Sequence, residues 1–285
     1  MDLAEYRRAS HAVWEAMAAG WDARHADVER VTRPITERLI GRLRPAPGDT
    51  VLELAAGTGV AGLAVAAALR GRGRVILSDF SPAMIEAASR RGAELGLGEV
   101  EYRVLDAERL DLPDGSVDAV LCRFGYMLMA DPAAAMAETR RVLREGGRLA
   151  CCVVGTSEAN PWSSLPGRLL VERGHLPAPE PGAPGIHALA DPRRLAAMLA
   201  AAGLGEPRIE EVDTAWTFSG EADYWTFLED VAGAISMVLA RLDEAERSRL
   251  RSELSRRLEP FRTEEGLLLP ARSLVASATA VAPAS

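Results

Sequence analysis

The sequence has few of the residues that mark several common classes of protein. Its three cysteines, Cys122, Cys151 and Cys152, have spacings that fit neither a disulfide framework nor a zinc site. No apolar run reaches the length of a membrane span. The net charge of −8 argues against a nucleic-acid-binding surface, where a basic face is expected. The first residues lack the basic region and apolar core of a signal peptide. We therefore expect a cytoplasmic protein.

The residues that are abundant favour a single elaborated α/β domain. Apolar residues make up 48% of the chain and charged residues 26%, as in globular proteins, and 285 residues can bury a sizeable core. The pattern predicts five strands, most of them continuous apolar runs, near residues 50–55, 74–79, 100–105, 117–123 and 147–154. Helical patterns alternate with them. This alternation predicts a doubly wound, mostly parallel sheet whose ligand lies at the carboxyl ends of the strands.

Three helix starts share one signal, a capping side chain followed by proline. The pairs are Ser81-Pro82, Asp131-Pro132 and Asp191-Pro192. Gly146 and Gly203 stand where we expect the second and third of these helices to end.

The segment Val51–Gly59 is the most informative part of the chain, because an apolar strand containing Glu53 runs into a glycine turn. Gly57-x-Gly59-x-x-Gly62, with Asp79 twenty residues beyond Gly59, matches the spacing of a dinucleotide-binding fingerprint. An NAD(P)-dependent oxidoreductase is therefore one reading. However, a pyrophosphate gains nothing from a carboxylate so close to it, whereas a ligand with a cationic amino-acid end does. Glu53 thus favours S-adenosylmethionine.

Further segments follow in an order that resembles class I S-adenosylmethionine-dependent methyltransferases, of the ubiquinone/menaquinone C-methyltransferase branch and related natural-product enzymes. They are 53–59, 75–79, 80–84, 103–108, 117–124 and 144–149. Ala55 replaces the first glycine of the family turn, which predicts a slightly tighter turn. The resemblance implies a Rossmann-like, mostly parallel sheet of seven strands. It covers residues 10–155 well and the rest loosely.

The resemblance also implies roles for particular residues. Asp79 would bind the ribose hydroxyls, Asp106 the adenine amino group, and Ala107 the adenine ring through its N–H. Glu53 would orient the amino-acid end of the cofactor. The remaining predicted cofactor-binding residues are Trp21, Ala55, Gly57, Gly59, Phe80, Met84 and Arg123, the last through its carbonyl group. Capping, core packing and ion pairing are the alternative roles of these side chains.

Four segments complete the predicted organisation. Residues 1–44 form an N-terminal helical cap, and residues 45–220 the cofactor-binding core with an ordered Pro- and Gly-rich loop at 156–190. Residues 221–265 form a helical lid insertion, and residues 266–285 the final strand. Tyr224 and Trp225 of the lid are expected to line the acceptor side, above the cofactor.

The predicted reaction is in-line methyl transfer to a small aromatic, quinone-like or secondary-metabolite acceptor. Such a reaction needs alignment and exclusion of water, and it needs a base only if the acceptor must lose a proton. His187 is the candidate base and Tyr126, after the fourth strand, is expected to face the methyl group. No metal is expected, since Asp131 caps a helix. C-, N- and O-methylation, a monomer or homodimer, and a non-catalytic cofactor-binding homologue all stay open.

Overall fold

The computed structural model describes residues 2–180 and 182–281, and residues 282–285 of the predicted final strand lie outside this range. Its helices are α1 (Leu3–Ala23), α2 (His25–Leu43), α3 (Val60–Leu69), α4 (Pro82–Glu94), α5 (Pro132–Val142), α6 (Pro161–Glu172), α7 (Pro192–Ala201), α8 (Glu221–Val231), α9 (Ala234–Leu239) and α10 (Glu244–Leu258). Its strands are β1 (Thr50–Leu54), β2 (Arg74–Asp79), β3 (Val100–Val104), β4 (Val117–Arg123), β5 (Leu143–Val154), β6 (Leu204–Phe218), β7 (Arg262–Thr263) and β8 (Gly266–Ala280).

The strands form one mixed sheet in the order β3-β2-β1-β4-β5-β8-β6. The first five strands in this order run parallel to one another. Strand β8 lies between β5 and β6 and runs antiparallel to both. The prediction of a doubly wound, mostly parallel, Rossmann-like α/β sheet is confirmed. The predicted count of seven strands is wrong, because the two-residue strand β7 pairs with β8 and makes eight.

All three predicted helix caps are present. Ser81 accepts a hydrogen bond from the N–H of Met84, Asp131 from that of Ala134, and Asp191 from that of Arg193. Each side chain satisfies a donor that the first turn of a helix leaves unpaired.

The predicted helix ends are confirmed only in part. Gly203 follows the end of α7 in a left-handed conformation, with φ 78°. Gly146 does not end α5, which stops at Val142; it lies inside β5 at φ 70°. Because β5 begins directly after the helix, the glycine bends the start of the strand instead.

The segments outside the core contain more helix than the sequence suggested. The segment 156–190 is not a continuous loop, because α6 begins at Pro161 after Asn160. In the predicted lid, the segment from Trp225 to Leu239 is divided between two helices, α8 and α9, which are separated at Ala232 and Gly233. Gly233 has φ 52° and a non-helical ψ, which interrupts the helix there.

The two faces of the sheet bury separate apolar clusters. One cluster joins the sheet to α5 and α7, and the other joins it to α2 and α3. A third cluster lies under the insertion, where α8, α9 and α10 pack on the far ends of β6 and β8. Because β1, β2 and β4 are buried along almost their whole length, their carboxyl ends form the edge of the sheet at which a ligand can bind.

Candidate active site

The turn between β1 and α3 has the backbone that its small residues permit. Gly57 and Gly59 have φ values of 53° and 83°, and Ala55 has φ 50°, a left-handed conformation that costs energy for a residue with a Cβ. Gly59 is buried, whereas Ala55 and Gly57 are partly exposed between buried neighbours. No atom lies within 4 Å of the place where a Cβ on Gly57 would stand. The turn therefore leaves space for close approach of a ligand.

Glu53 lies beneath this turn and is almost fully buried, with 1% of its surface exposed. Its carboxylate accepts a hydrogen bond from the N–H of Gly62, in the first turn of α3, at 2.8 Å. Burial raises the pKa of Glu53 to about 8, although the positive charge of Arg123 and this hydrogen bond oppose the rise. Gly62 is required here, since a Cβ at that position would overlap the carboxylate.

Asp79 ends β2 and joins the neighbouring segments of the site. One of its oxygens accepts the N–H of Gly57 at 2.9 Å and the other accepts that of Ser81 at 2.9 Å. Burial raises the pKa of Asp79, and these backbone hydrogen bonds oppose that rise. Each carboxylate oxygen keeps a lone pair for a ligand hydroxyl.

An open cleft of about 550 Å³ lies beside Asp79, between α1 and the ends of β2 and β3. Its lining residues are Ala4, Arg7, Arg8, His11, Phe80, Val104 and Asp106. This volume is in the range of small-molecule and cofactor sites. Two of the predicted cofactor residues, Phe80 and Asp106, therefore face the same cleft.

Helix α1 contributes residues to the cleft that the sequence interpretation missed. His11 packs edge-on against Phe80, with ring centroids 5.2 Å apart. Arg7 forms an ion pair with Glu108, and Glu15 accepts the Ser81 hydroxyl at 2.6 Å. Residues 7, 11 and 15 are spaced four apart, so their polar side chains lie on one face of α1. This spacing was the feature of the sequence that could have identified them.

Asp106, Ala107 and Met84 lie around the same edge of the sheet. Asp106 is partly buried and accepts the N–H of Glu108 at 2.9 Å, while one of its oxygens lies 3.7 Å from Arg7. Ala107 is partly buried against the core. Met84 has 1% of its surface exposed, on α4, and therefore contributes to packing behind Phe80.

Arg123, at the end of β4, places its guanidinium group inside the protein. Its Nη1 donates to the Thr32 hydroxyl at 2.7 Å, and its Nε has no partner among the described residues. Burial lowers the pKa of Arg123. Trp21 of α1 is partly buried against the cluster under the insertion, 5.8 Å from Trp14 between ring centroids.

His187 lies at the carboxyl ends of β4 and β5, and it is not among the lining residues of the cleft beside Asp79. Its Nδ1 donates to the carbonyl of Gly155, the residue after β5, at 2.7 Å. Because a carbonyl can only accept, Nε2 carries the lone pair, and the Ser163 hydroxyl lies 3.4 Å from it. Burial lowers the pKa of His187, so the ring is a neutral base at neutral pH. The N–H of Gly185 donates to the carbonyl of Met127 at 2.9 Å and fixes the segment across the end of β4.

Tyr126 does not face an open site, contrary to the prediction. None of its surface is exposed, and its hydroxyl bonds the Thr139 hydroxyl of α5 at 2.6 Å. Phe124 has φ 61°, which turns the chain after β4 and directs Tyr126 into the core. Tyr126 is therefore a packing residue in this structure.

The lid residues expected on the acceptor side also lie in a core. Tyr224 is fully buried and donates to the carbonyl of Trp162 at 2.5 Å. Trp225 donates to Glu229 at 2.8 Å, and the guanidinium of Arg251 lies 4.8 Å from its ring. These contacts hold the insertion together.

The described residues contain neither a metal-binding cluster nor a membrane-spanning helix. No group of three or more His, Cys, Asp or Glu side chains there could hold a metal ion. No helix in that part of the chain is both long and apolar enough to cross a membrane.

Comparisons with known proteins agree with this geometry. Residues 51–147 match the family described as "Methyltransferase domain". The demethylmenaquinone methyltransferase of Clavibacter sepedonicus is 37% identical over 128 residues, 45% of this chain and 49% of that protein. The chain thus spans about half the length of this curated relative.

Solved structures share the fold at low identity. A putative methyltransferase from Bacillus halodurans C-125 has a TM-score of 0.58 and 18% identity, over 87% of this chain and 99% of that one. Geranyl diphosphate C-methyltransferase from Streptomyces coelicolor A3(2) has a TM-score of 0.52 and 20% identity, over 88% of this chain and 80% of that one.

The matched segment contains the glycine turn, Asp79 and two lining residues of the cleft, Phe80 and Asp106, whereas the lining residues on α1 lie before it. Over residues 51–147 the chain is similar to methyltransferase domains, and the two solved structures share its fold.

Proposed function

We propose that the protein transfers a methyl group from S-adenosylmethionine to a small-molecule acceptor. The cofactor supplies an activated methyl group on a sulfonium centre. The chain must bind it, hold the acceptor in line and exclude water. The observation that carries the proposal is the buried Glu53 under an open glycine turn, with Asp79 beside it and the cleft beyond.

The residues at the edge of the sheet fit the parts of this cofactor. Asp79 accepts the ribose hydroxyls, and the open space at Gly57 admits the ligand to the backbone. Asp106 accepts the adenine amino group. Ala107 donates its N–H, and Phe80 packs on the ring with Met84 behind it. Glu53 faces the ammonium group, and the other proposed contacts are those of Trp21, Ala55, Gly59 and the carbonyl of Arg123.

The dinucleotide alternative fits this geometry less well. A pyrophosphate binds to the free N–H groups at the start of the helix that follows the glycine turn. Here the N–H of Gly62 is already donated to Glu53. An added anion at this helix would have to compete with the Glu53 side chain for this N–H group.

His187 is the base that we assign to the acceptor, where the acceptor must lose a proton. Its Nε2 lone pair and the Ser163 hydroxyl face each other at 3.4 Å near the end of β5. A phenolic or enolic acceptor has an acidic proton that this base can accept. Quinone precursors and aromatic secondary metabolites belong to this chemical class.

Mass spectrometry of the purified protein tests the cofactor. We expect S-adenosylmethionine or S-adenosylhomocysteine in the denatured supernatant of the wild type, and much less with Asp79→Ala. Co-purified nicotinamide dinucleotide in their place would contradict the proposal. A non-catalytic homologue would retain the cofactor but would show no transfer of labelled methyl groups to any member of a phenol and quinol panel.

A further inference from the structure

Two buried guanidinium groups lie on the face of the sheet that carries Glu53. Glu53 pairs in register with Leu121, and Arg123 lies two residues further along β4, so all three side chains leave the sheet on the same face. Arg91 of α4 packs over this face with 8% of its surface exposed. The proximity of Arg91 contributes to the lowered pKa of Arg123.

These arginines have more donors than the protein satisfies. The Nε and Nη1 atoms of Arg91 and the Nε of Arg123 are buried and have no hydrogen-bond partner among the described residues. Among the described residues, Arg91 forms an ion pair with Glu29 at 3.4 Å, and the side chain of Glu29 is 57% exposed. Thr32 accepts from Arg123, but the Thr32 hydroxyl is neutral and gives its own proton to Val28.

Buried donors without partners destabilise a protein, and buried charges are normally paired. Glu53 does not supply the missing charge in the free protein, because burial raises its pKa to about 8 and it is largely protonated at neutral pH. The face therefore has an excess of buried positive charge. Such a face is complemented by an anion at the glycine turn, because Cys122 pairs with Leu54 and Arg123 therefore lies beside Ala55.

We propose that the guanidinium of Arg123 binds the carboxylate of the cofactor's amino-acid end, and that Arg91 supports it as a second positive charge. Glu53 and Arg123 then recognise opposite ends of one zwitterion, the ammonium and the carboxylate. Arg123 thus acts through its side chain, in addition to the carbonyl contact proposed from the sequence. This inference rests on the proposed function and assigns residues to one part of its cofactor.

Calorimetric titration with two probes tests it, S-adenosylmethionine and decarboxylated S-adenosylmethionine, which differ in the carboxylate alone. We expect the wild type to prefer the first by about 10- to 100-fold, as for a charge-assisted hydrogen bond. Arg123→Gln should remove most of that preference by weakening the binding of S-adenosylmethionine alone. Arg91→Gln should reduce the preference. The control Arg90→Gln, on the exposed side of α4 beside Asp22, should keep it.

Further measurements separate the alternatives. 5′-Methylthioadenosine lacks the amino-acid end, so its unchanged affinity for Arg123→Gln would show that the variant retains a folded site. Arg123→Lys, which keeps the charge, covers the case in which the glutamine variant does not fold, and it should retain part of the preference. A wild-type preference unchanged in Arg123→Gln, or equal weakening of both probes, overturns the inference. Failure of the wild type to bind any of the three compounds would refute the proposed function instead.

Discussion

The backbone N–H of Gly62 donates to the carboxylate of Glu53 at 2.8 Å, which places an acid at the start of the helix that follows the glycine turn. A side chain larger than hydrogen at position 62 would overlap that carboxylate. The third glycine of the Gly57-x-Gly59-x-x-Gly62 pattern therefore makes room for an acid of the protein. This contact distinguishes the site from an anion-binding dinucleotide turn that has the same spacing of glycines.

Cofactor binding should release a proton from Glu53. Burial raises the pKa of Glu53 to about 8, so below that pH the free protein holds the acid protonated. A bound ammonium group favours the ionised form, so affinity should rise between pH 6 and 7.5 and a proton should leave. Titrations of S-adenosylhomocysteine in phosphate and Tris buffers measure this release as a difference in heat. Heats that do not depend on the buffer, or release unchanged in Glu53→Gln, would contradict the assignment.

His187→Ala should lower the turnover of a proton-losing acceptor by roughly 10²-fold or more, the usual contribution of a general base. Affinity for S-adenosylhomocysteine should not change. Because burial lowers the pKa of His187, the wild-type rate should fall only as the pH drops below 6.5, where the ring becomes protonated. His175→Ala is the control, since His175 contacts Glu246 away from the site. An equal loss of turnover in both variants would show that His187 is not the catalytic base.

Asp79→Ala should weaken binding of S-adenosylhomocysteine by about 1.5–3 kcal/mol, the value of a hydrogen bond to a charged group. The substitution also frees the N–H groups of Gly57 and Ser81, so we expect a small loss of thermal stability. Asp191→Ala, which removes a helix cap remote from the cleft, provides the matched control for stability. A dissociation constant unchanged by Asp79→Ala would place the ribose contact elsewhere.

Gly20→Ala should destabilise the protein by roughly 1–3 kcal/mol, because a Cβ there would overlap the carbonyl of Asp230 where α1 crosses α8. Gly41→Ala is the opposite case, since Gly41 is an exposed glycine of α2 with open space around its Cβ position. That change should stabilise by about 0.5–1 kcal/mol. Thermal denaturation of both variants checks the pair. Similar shifts in both would show that the α1–α8 contact is not tightly packed.

The features that the sequence predicted are those with local causes. Ser81-Pro82, Asp131-Pro132 and Asp191-Pro192 act within one helical turn, so each cap could be read directly. The strands around Glu53 and Asp79 are apolar runs whose burial follows from composition. A similar signal marks the start of α6, where Pro161 follows Asn160, although the Asn160 side chain makes no capping hydrogen bond.

The features that the sequence did not predict depend on long-range packing. Whether Tyr126 faces a ligand or the core is decided by one left-handed residue, Phe124, which no local signal marks. The approach of His11 to Phe80 joins residues 69 positions apart, and the Tyr224 contact with Trp162 joins residues 62 apart. The sequence predicted a helical insertion at residues 221–265 but could not say what its apolar side chains would pack against.

Titration of the purified protein with S-adenosylhomocysteine and with NADH tests the central claim most directly. The account predicts micromolar affinity for S-adenosylhomocysteine and no measurable heat from NADH, because Glu53 disfavours a pyrophosphate and favours an ammonium group. Tight binding of NADH without binding of S-adenosylhomocysteine would contradict it.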